Sequence, residues 1–344
     1  MSIGKYRPGV WSSYTITPGY TGAREALAVG VIAQLGLTGE QPVTVQRGDT
    51  IDGGTPLAQV AELLFGAGLQ RFTVYSLGEE AGPEQHAAAL EALAAAGTLD
   101  LAVIQNATQE VLETAKSFAL ARSEEQQEML VFGGALGNHT AAATLAKAID
   151  CPRVVVSYGT AIPAGKEEGS PFFGALALCA AVAVLEDPSV SLTGWPLPSI
   201  GRVTGASYAQ VETLLGAGVT PLVQSGTGAE AVRVLTTCTT IGGSPDRSLC
   251  PVNSILIIDY VMKALRRSLA AFLRGAKNSA QTLSAVASQL TVLLGDFLDR
   301  GIITGYGAPR VYCQPDDPEV CIAQVSFTAA YLINQIHIQA QIQL

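Results

Sequence analysis

Between about Arg24 and Asp187, short apolar or β-branched runs alternate with helix-length segments, and this order constrains the fold more than any single motif. Ala28–Gln34 reads as a strand, followed by a loop rich in Gly and Thr up to Thr55. Helices are expected over Pro56–Phe65, Pro83–Ala96, Thr108–Glu128, Thr140–Ile149 and Phe172–Leu185. Strands are expected between them, at Arg71–Leu77, Leu99–Gln105, Met129–Phe132 and Arg153–Tyr158. Strands separated by helices are parallel crossovers rather than hairpins, so an α/β fold with a mostly parallel sheet and flanking helices is expected here. Thr108 is placed to cap its helix, and Pro83 suits a first turn.

After Asp187-Pro188 the pattern changes to Trp195-Pro196-Leu197-Pro198, a helix from about Tyr208 to Leu215, and strands at Thr220–Gln224 and Val232–Thr239. Two long helices follow. Ile255, Ile258, Met262, Leu265, Leu269 and Phe272 recur at helical spacing in the first, with Asn253 as a cap, and Leu283, Val286, Leu290, Leu294 and Phe297 do so in the second. Strands near Arg310–Cys313 and Val320–Phe327 complete an α+β part. The chain thus divides into an extended arm over residues 1–22, an α/β domain over 23–190, an α+β core over 191–327 and a terminal strand over 328–344.

In the last nine residues, Ile336, Ile338, Ala340, Ile342 and Leu344 alternate with His337 and three glutamines, a period-two pattern without charge or return strand. Such a strand has one apolar face and a bare row of backbone donors and acceptors, which folded proteins normally cover. At roughly 1.5–3 kcal/mol for each buried large apolar residue, it offers on the order of 10 kcal/mol before ordering costs. Ile336, Ile338, Ile342 and Leu344 are therefore candidates for strand donation to another copy, the alternative being a strand that completes its own chain's sheet. Val10, Tyr14 and Ile16, in an arm punctuated by Pro8, Gly9, Pro18 and Gly19, are candidates for a second donated segment.

With 48% hydrophobic and only 14% charged residues, the chain is too apolar for disorder and suits a subunit that covers much of its surface with other protein. A net charge of −9 disfavours nucleic acid as a partner. Between Pro251 and Arg310, however, seven basic residues stand against three acidic ones. Lys263, Arg266, Arg267 and Arg274 share the first long helix, where they form either a solvated face or a contact with an acidic protein partner. No apolar run has the length of a membrane span, and Met1–Val10 lacks the apolar segment of a secretory signal.

Chemistry is sparse. The six cysteines include no CxxC pair and read as buried thiols, although Cys313 and Cys321 flank a Pro-Asp-Asp-Pro turn and could face each other across a hairpin. His86, His139 and His337 show neither metal-ligand nor nucleophile-base spacing. Gly226-Thr227-Gly228-Ala229-Glu230-Ala231 matches a loose dinucleotide fingerprint, with Asp246 about twenty residues on. The following Val232–Thr240 is β-branched, so the helix that should hold a pyrophosphate is missing and a turn between strands is the better reading. Gly133-Gly134 could approach a phosphate but lacks the Lys-Ser/Thr of a P-loop. No cofactor, metal or catalytic residue is expected.

Several passages, in order, resemble the tail sheath proteins of contractile bacteriophages and phage-tail-like particles. They are Pro8-Gly9-Val10, Phe173-Gly174-Ala175-Leu176, Trp195 with its prolines, Tyr208 to Val223, Pro251-Val252-Asn253, Asn278 and Phe297-Leu298 with Gly301. The match is best over residues 170–344, and it departs where Thr328-Ala329-Ala330-Tyr331 replaces a proline-containing approach to the last strand. The resemblance implies a structural subunit, not an enzyme, that polymerises as stacked hexameric rings around an inner tail tube protein. It implies contraction by rigid-body rearrangement of subunits, with both terminal arms augmenting a neighbour's sheet and Lys263, Arg266 and Arg267 contacting the tube. Baseplate and tail terminator proteins would be further partners, in a virion tail or phage-tail-like particle assembled in the host cytoplasm. Two rival readings are a nucleotide- or cofactor-dependent α/β enzyme using the Gly226 turn and a non-contractile filament or shell protein.

Overall fold

The computed structural model of the chain describes residues 26–332, except 38, 40, 227, 271 and 273–276. In the first part the strands are β1 (Val29–Ala33), β2 (Val43–Gln46), β3 (Arg71–Ser76), β4 (Leu101–Ile104), β5 (Leu130–Gly134), β6 (Val154–Tyr158) and β7 (Thr160–Pro163). The helices between and after them are α1 (Pro56–Gly66), α2 (Pro83–Ala96), α3 (Gln109–Glu124), α4 (His139–Ile149) and α5 (Pro171–Ala183). Next come β8 (Thr193–Leu197), β9 (Ile200–Thr204), α6 (Tyr208–Gly216), β10 (Val219–Ser225), β11 (Gly228–Arg233) and a small hairpin of β12 (Thr240–Ile241) and β13 (Ser244–Pro245). The chain continues with α7 (Val252–Ala270), α8 (Ala280–Asp299), β14 (Ile303–Tyr306), β15 (Arg310–Gln314), β16 (Asp317–Gln324) and β17 (Phe327–Ala329).

Nine strands form one sheet in the order β2-β3-β1-β4-β5-β6-β10-β11-β8. Its centre, from β3 to β10, is parallel, and β2 at one edge and β11 near the other run antiparallel to their neighbours. Side chains alternate between the two faces. Val31, Leu101, Val103 and Phe132 pack towards α1 and α5, whereas Ile32, Ala102, Ile104 and Val131 pack towards α2 and α3. Helices α4 and α6 continue the second layer over β6 and β10. Eleven of the thirteen residues of α5 are buried, as expected of a helix that is apolar all round.

The expected helix starts hold where a cap explains them: Thr108 accepts from the Val111 N–H, and Pro83 opens α2. Asn253 does not cap α7. It is buried inside the first turn, where its amide donates to the carbonyls of Pro188 and Val190 at 2.9 and 2.6 Å. The run expected as a strand over Val232–Thr239 leaves the ladder after Arg233. Its threonine-rich remainder is held by side chains instead, through Thr220 Oγ1 on the Leu235 N–H and Thr237 Oγ1 on the Cys151 N–H. The sheet also extends past residue 190, because β10, β11 and β8 belong to it. Pro196 fits β8 because that strand is an edge.

A second, smaller core lies between α7, α8 and two two-stranded sheets, β14–β17 and β15–β16. It contains Ile257, Val261, Leu265, Leu290, Leu294 and Phe297. Helix α7 belongs to both cores. Val252, Ile255 and Leu256 lie in the α/β core, and Ile257, Val261 and Leu265 face the other way into the second.

Candidate functional site

The stripe of α7 that faces the α/β unit begins apolar and becomes charged: Val252, Ile255 and Leu256 are followed on the same face by Asp259, Lys263 and Arg266. Each charge meets one supplied just before a neighbouring parallel strand. Arg153, before β6, grips Asp259 with both guanidinium nitrogens, one of them at 2.9 Å. Lys263 Nζ donates to Asp100 Oδ1, before β4, at 2.7 Å and to the Glu128 carbonyl at 3.2 Å. Arg266 Nη2 lies 2.7 and 2.6 Å from the two carboxylate oxygens of Glu128, before β5. Asp100 also accepts from the Ala28 N–H at 3.0 Å, which brings the start of β1 into the same seam. A row of complementary charges thus fastens α7 across the N-terminal edge of the sheet.

The three pairs differ in burial. The Arg153 and Asp259 side chains are 12% and 11% exposed, while Lys263 and Arg266 retain more than twice that exposure. Burial pushes the Asp259 carboxyl above its ordinary value, even though Arg153 opposes the shift. Glu128 is desolvated too, but the hydrogen bonds and charge of Arg266 prevail and hold its carboxyl below the usual range. Lys263 and Arg266 therefore do not form the solvated face that one reading of the sequence gave them. Arg267 is exposed. Arg153, Asp259, Asp100 and Glu128 were not among the sequence candidates, and only the spacing of Asp259, Lys263 and Arg266 on one helix face could have pointed to the seam.

A cleft of about 1000 Å³ opens beside this seam, lined by Ala28, Asp100, Arg122, Glu128, Lys263 and Arg267 among others. It sits at the N-terminal ends of the strands. Open α/β sheets bind ligands at the opposite ends, in the crevice where the strand order reverses, here between β1 and β4. The chain's own amides occupy that point: Gln105 Oε1 accepts from the Gln34 N–H at 2.7 Å, and Gln34 Nε2 donates to the carbonyls of Gly78 and Glu79.

The glycine motif at Gly226 is a hairpin turn. Gly226 has φ +53°, and Ser225 and Gly228 pair as β10 runs into β11, so a strand stands where a phosphate-binding helix would have to begin. This corrects the rival reading of a nucleotide site there. Gly133-Gly134 is likewise closed to a phosphate, because a Cβ on Gly134 would lie 2.2 Å from the Pro171 carbonyl oxygen, so the first turn of α5 already fills the space.

His86 is fully buried in α2 with Nδ1 2.8 Å from the Gly82 carbonyl and Nε2 without a partner, and burial pushes its pKa down. His139 opens α4, and His337 lies outside the described residues. Among the described residues no group of three His, Cys, Asp or Glu side chains is placed to hold a metal, and no helix is long and apolar enough to cross a membrane. Val10, Tyr14, Ile16, Ile336, Ile338, Ile342 and Leu344, the expected strand donors, also lie outside the described residues. The β14–β17 and β15–β16 sheets have open edges among the described residues, and Tyr208, Val292 and Tyr331 are exposed large side chains.

No protein-family model matches the sequence, and no curated protein is significantly similar to it. Solved structures do match over nearly the whole chain. A sheath tail protein from Desulfitobacterium hafniense is 12% identical with a TM-score of 0.69, over 93% of this chain and 100% of that one. The helical sheath of the anti-feeding prophage in its contracted state is 15% identical with a TM-score of 0.70, over 97% and 98%. A chain of the six-fold symmetrised anti-feeding prophage baseplate is 14% identical with a TM-score of 0.69, over 98% and 99%. At these identities the likeness is one of fold: the chain has the fold of tail sheath proteins, α/β and α+β parts together.

Proposed function

We propose that this chain is the structural subunit of a contractile tail sheath, polymerising as stacked rings around an inner tube and contracting by rigid-body rearrangement. The observation that carries this reading is the match of the entire fold to a sheath in its contracted state, 97% of this chain against 98% of that one. Helix α7 supports it mechanically. A subunit that rotates between two packings must move as one body, and α7 is shared by two cores and fastened by three charge pairs. Energy stored in metastable intersubunit contacts needs no nucleotide, in keeping with a hairpin at Gly226.

In this reading the subunit's partners are other copies of itself, an acidic inner tube protein, and baseplate and terminator proteins at the two ends of a virion tail or tail-like particle. The open edges of β14–β17 and β15–β16 are what donated strands require, and in this reading residues 334–344 and the N-terminal arm are the donors. Tube contact falls chiefly to Arg267, since Lys263 and Arg266 already hold Asp100 and Glu128. The test is assembly of two variants on purified tubes. Arg267→Glu should leave the denaturation midpoint unchanged and weaken tube-templated assembly, and deletion of residues 334–344 should leave a folded monomer that cannot polymerise. Normal sheaths from either variant would remove the corresponding contact from the proposal.

A further inference from the structure

Cys313 and Cys321 occupy directly opposed positions in the β15–β16 ladder, flanked by the pair Tyr312 and Ile322 on one side and, across a break in register, by the pair Gln314 and Asp317 at the turn on the other. Directly opposed residues of an antiparallel pair project to the same face with Cα atoms about 4.5–5.5 Å apart, inside the range that a disulfide spans. Both are free thiols. Cys321 is exposed and Cys313 partly so, while the other four cysteines are buried. Cys313 Sγ lies 3.0 Å from Asn278 Oδ1, to which it donates, so its position is fixed from the α8 side of the hairpin.

We propose that Cys313 and Cys321 form a reversible dithiol–disulfide site that takes small-molecule disulfides as its oxidant and staples the β15–β16 hairpin when oxidised. The Cys321 thiolate attacks one sulfur of a disulfide such as oxidised glutathione, forming a mixed disulfide and releasing one glutathione thiolate, which takes up the proton lost from Cys321. The Cys313 thiolate then attacks the Cys321 sulfur, closing the protein disulfide and releasing the second glutathione thiolate, which accounts for the proton of Cys313. Two protein thiols are oxidised and one small disulfide is reduced to two thiols. Desolvation and the neighbouring Cys313 push the Cys321 thiol up, so the exchange quickens as pH rises. The staple closes a short loop around Pro315 and Pro318 on a hairpin whose Val311 and Ala323 pack on the second core. The pair therefore reports the redox state of the medium, reduced in a glutathione-rich compartment and closed outside one. This inference does not depend on the sheath reading.

The experiment is to incubate the folded full-length chain with oxidised glutathione at pH 8, alkylate the remaining thiols and measure the intact mass and a non-reduced peptide map. The wild type should lose two alkylatable thiols without retaining glutathione, with Cys313 and Cys321 in one cross-linked peptide, and reductant should restore both. Cys313→Ser should instead stop at a single glutathione adduct on Cys321. Two stable glutathione adducts on the wild type, no reaction at Cys321, or a cross-link between other cysteines would overturn the proposal.

Discussion

Replacing Asp259 by Asn removes one charge from the most buried pair of the seam and leaves Arg153, 12% exposed, without its counter-ion. Truncating one side of a buried ion pair costs about 3–5 kcal/mol, because the desolvated partner is stranded. The pair's bidentate geometry supports the upper part of that range, and its residual exposure the lower. Lys263→Met, which strands a less buried pair with water close by, should cost about 1 kcal/mol. The decisive comparison is a cycle in which Arg153→Met and Asp259→Leu are combined. Two charges taken out of water regain in mutual attraction little more than their desolvation costs, and an apolar pair of similar volume avoids that cost. The charged pair is therefore a device for seating α7 in one register rather than a net source of stability, and the apolar double variant should recover most of the loss. Urea denaturation followed by circular dichroism, with the midpoint read at constant m, measures the wild type and every variant. A loss below about 1 kcal/mol for Asp259→Asn, or a double variant as unstable as the sum of the singles, would refute the reasoning.

Gly134→Ala should destabilise the chain by at least about 1–3 kcal/mol in the same assay, since its Cβ would fall 2.2 Å from the Pro171 carbonyl oxygen and backbone cannot yield as a side chain can. His86 is neutral and buried with its pKa depressed, so the unfolded chain binds a proton that the folded chain refuses and stability should fall as pH drops below about 6.5. His86→Gln should flatten that limb of a denaturation-midpoint profile, and an unchanged profile would show that His86 is not its source. A second acid limb at lower pH should follow from Asp150 and Glu128. Both are desolvated by burial, yet hydrogen bonds from Thr239 and Thr240 to Asp150 and from Arg266 to Glu128 hold their carboxyls low, so stability present at neutral pH is lost as they protonate. Asp150→Asn should shrink this limb without touching the first.

The β-α order was legible because buried parallel strands such as Val29–Ala33 and Leu101–Ile104 are continuous apolar runs bounded by well-signalled helices. Short edge and peripheral strands were not. Val43–Gln46 lies within a glycine-rich loop, and Thr193–Leu197 carries both Gly194 and Pro196, so neither shows a pattern that outweighs its punctuation. Val232–Thr239 misled in the other direction, because β-branched threonines that suit a strand serve here as hydroxyl donors and acceptors to backbone: Thr236 Oγ1 donates to the Leu249 carbonyl, and Thr237 Oγ1 donates to the Cys151 carbonyl and accepts from its N–H. The hairpin partnership of Cys313 and Cys321 could be raised from their spacing around a turn, but only the register brought them face to face. The seam was invisible to local reading, since Arg153 lies 106 residues from Asp259 and Asp100 lies 163 residues from Lys263. A basic helix face looks the same in sequence whether its partners are water, another protein or the start of a distant strand.

Electron microscopy of the purified full-length chain at high concentration tests the central claim most directly. A sheath subunit should form helical tubes of stacked rings with a wide lumen. A discrete monomer or dimer at every concentration, with and without purified tube protein, would contradict it.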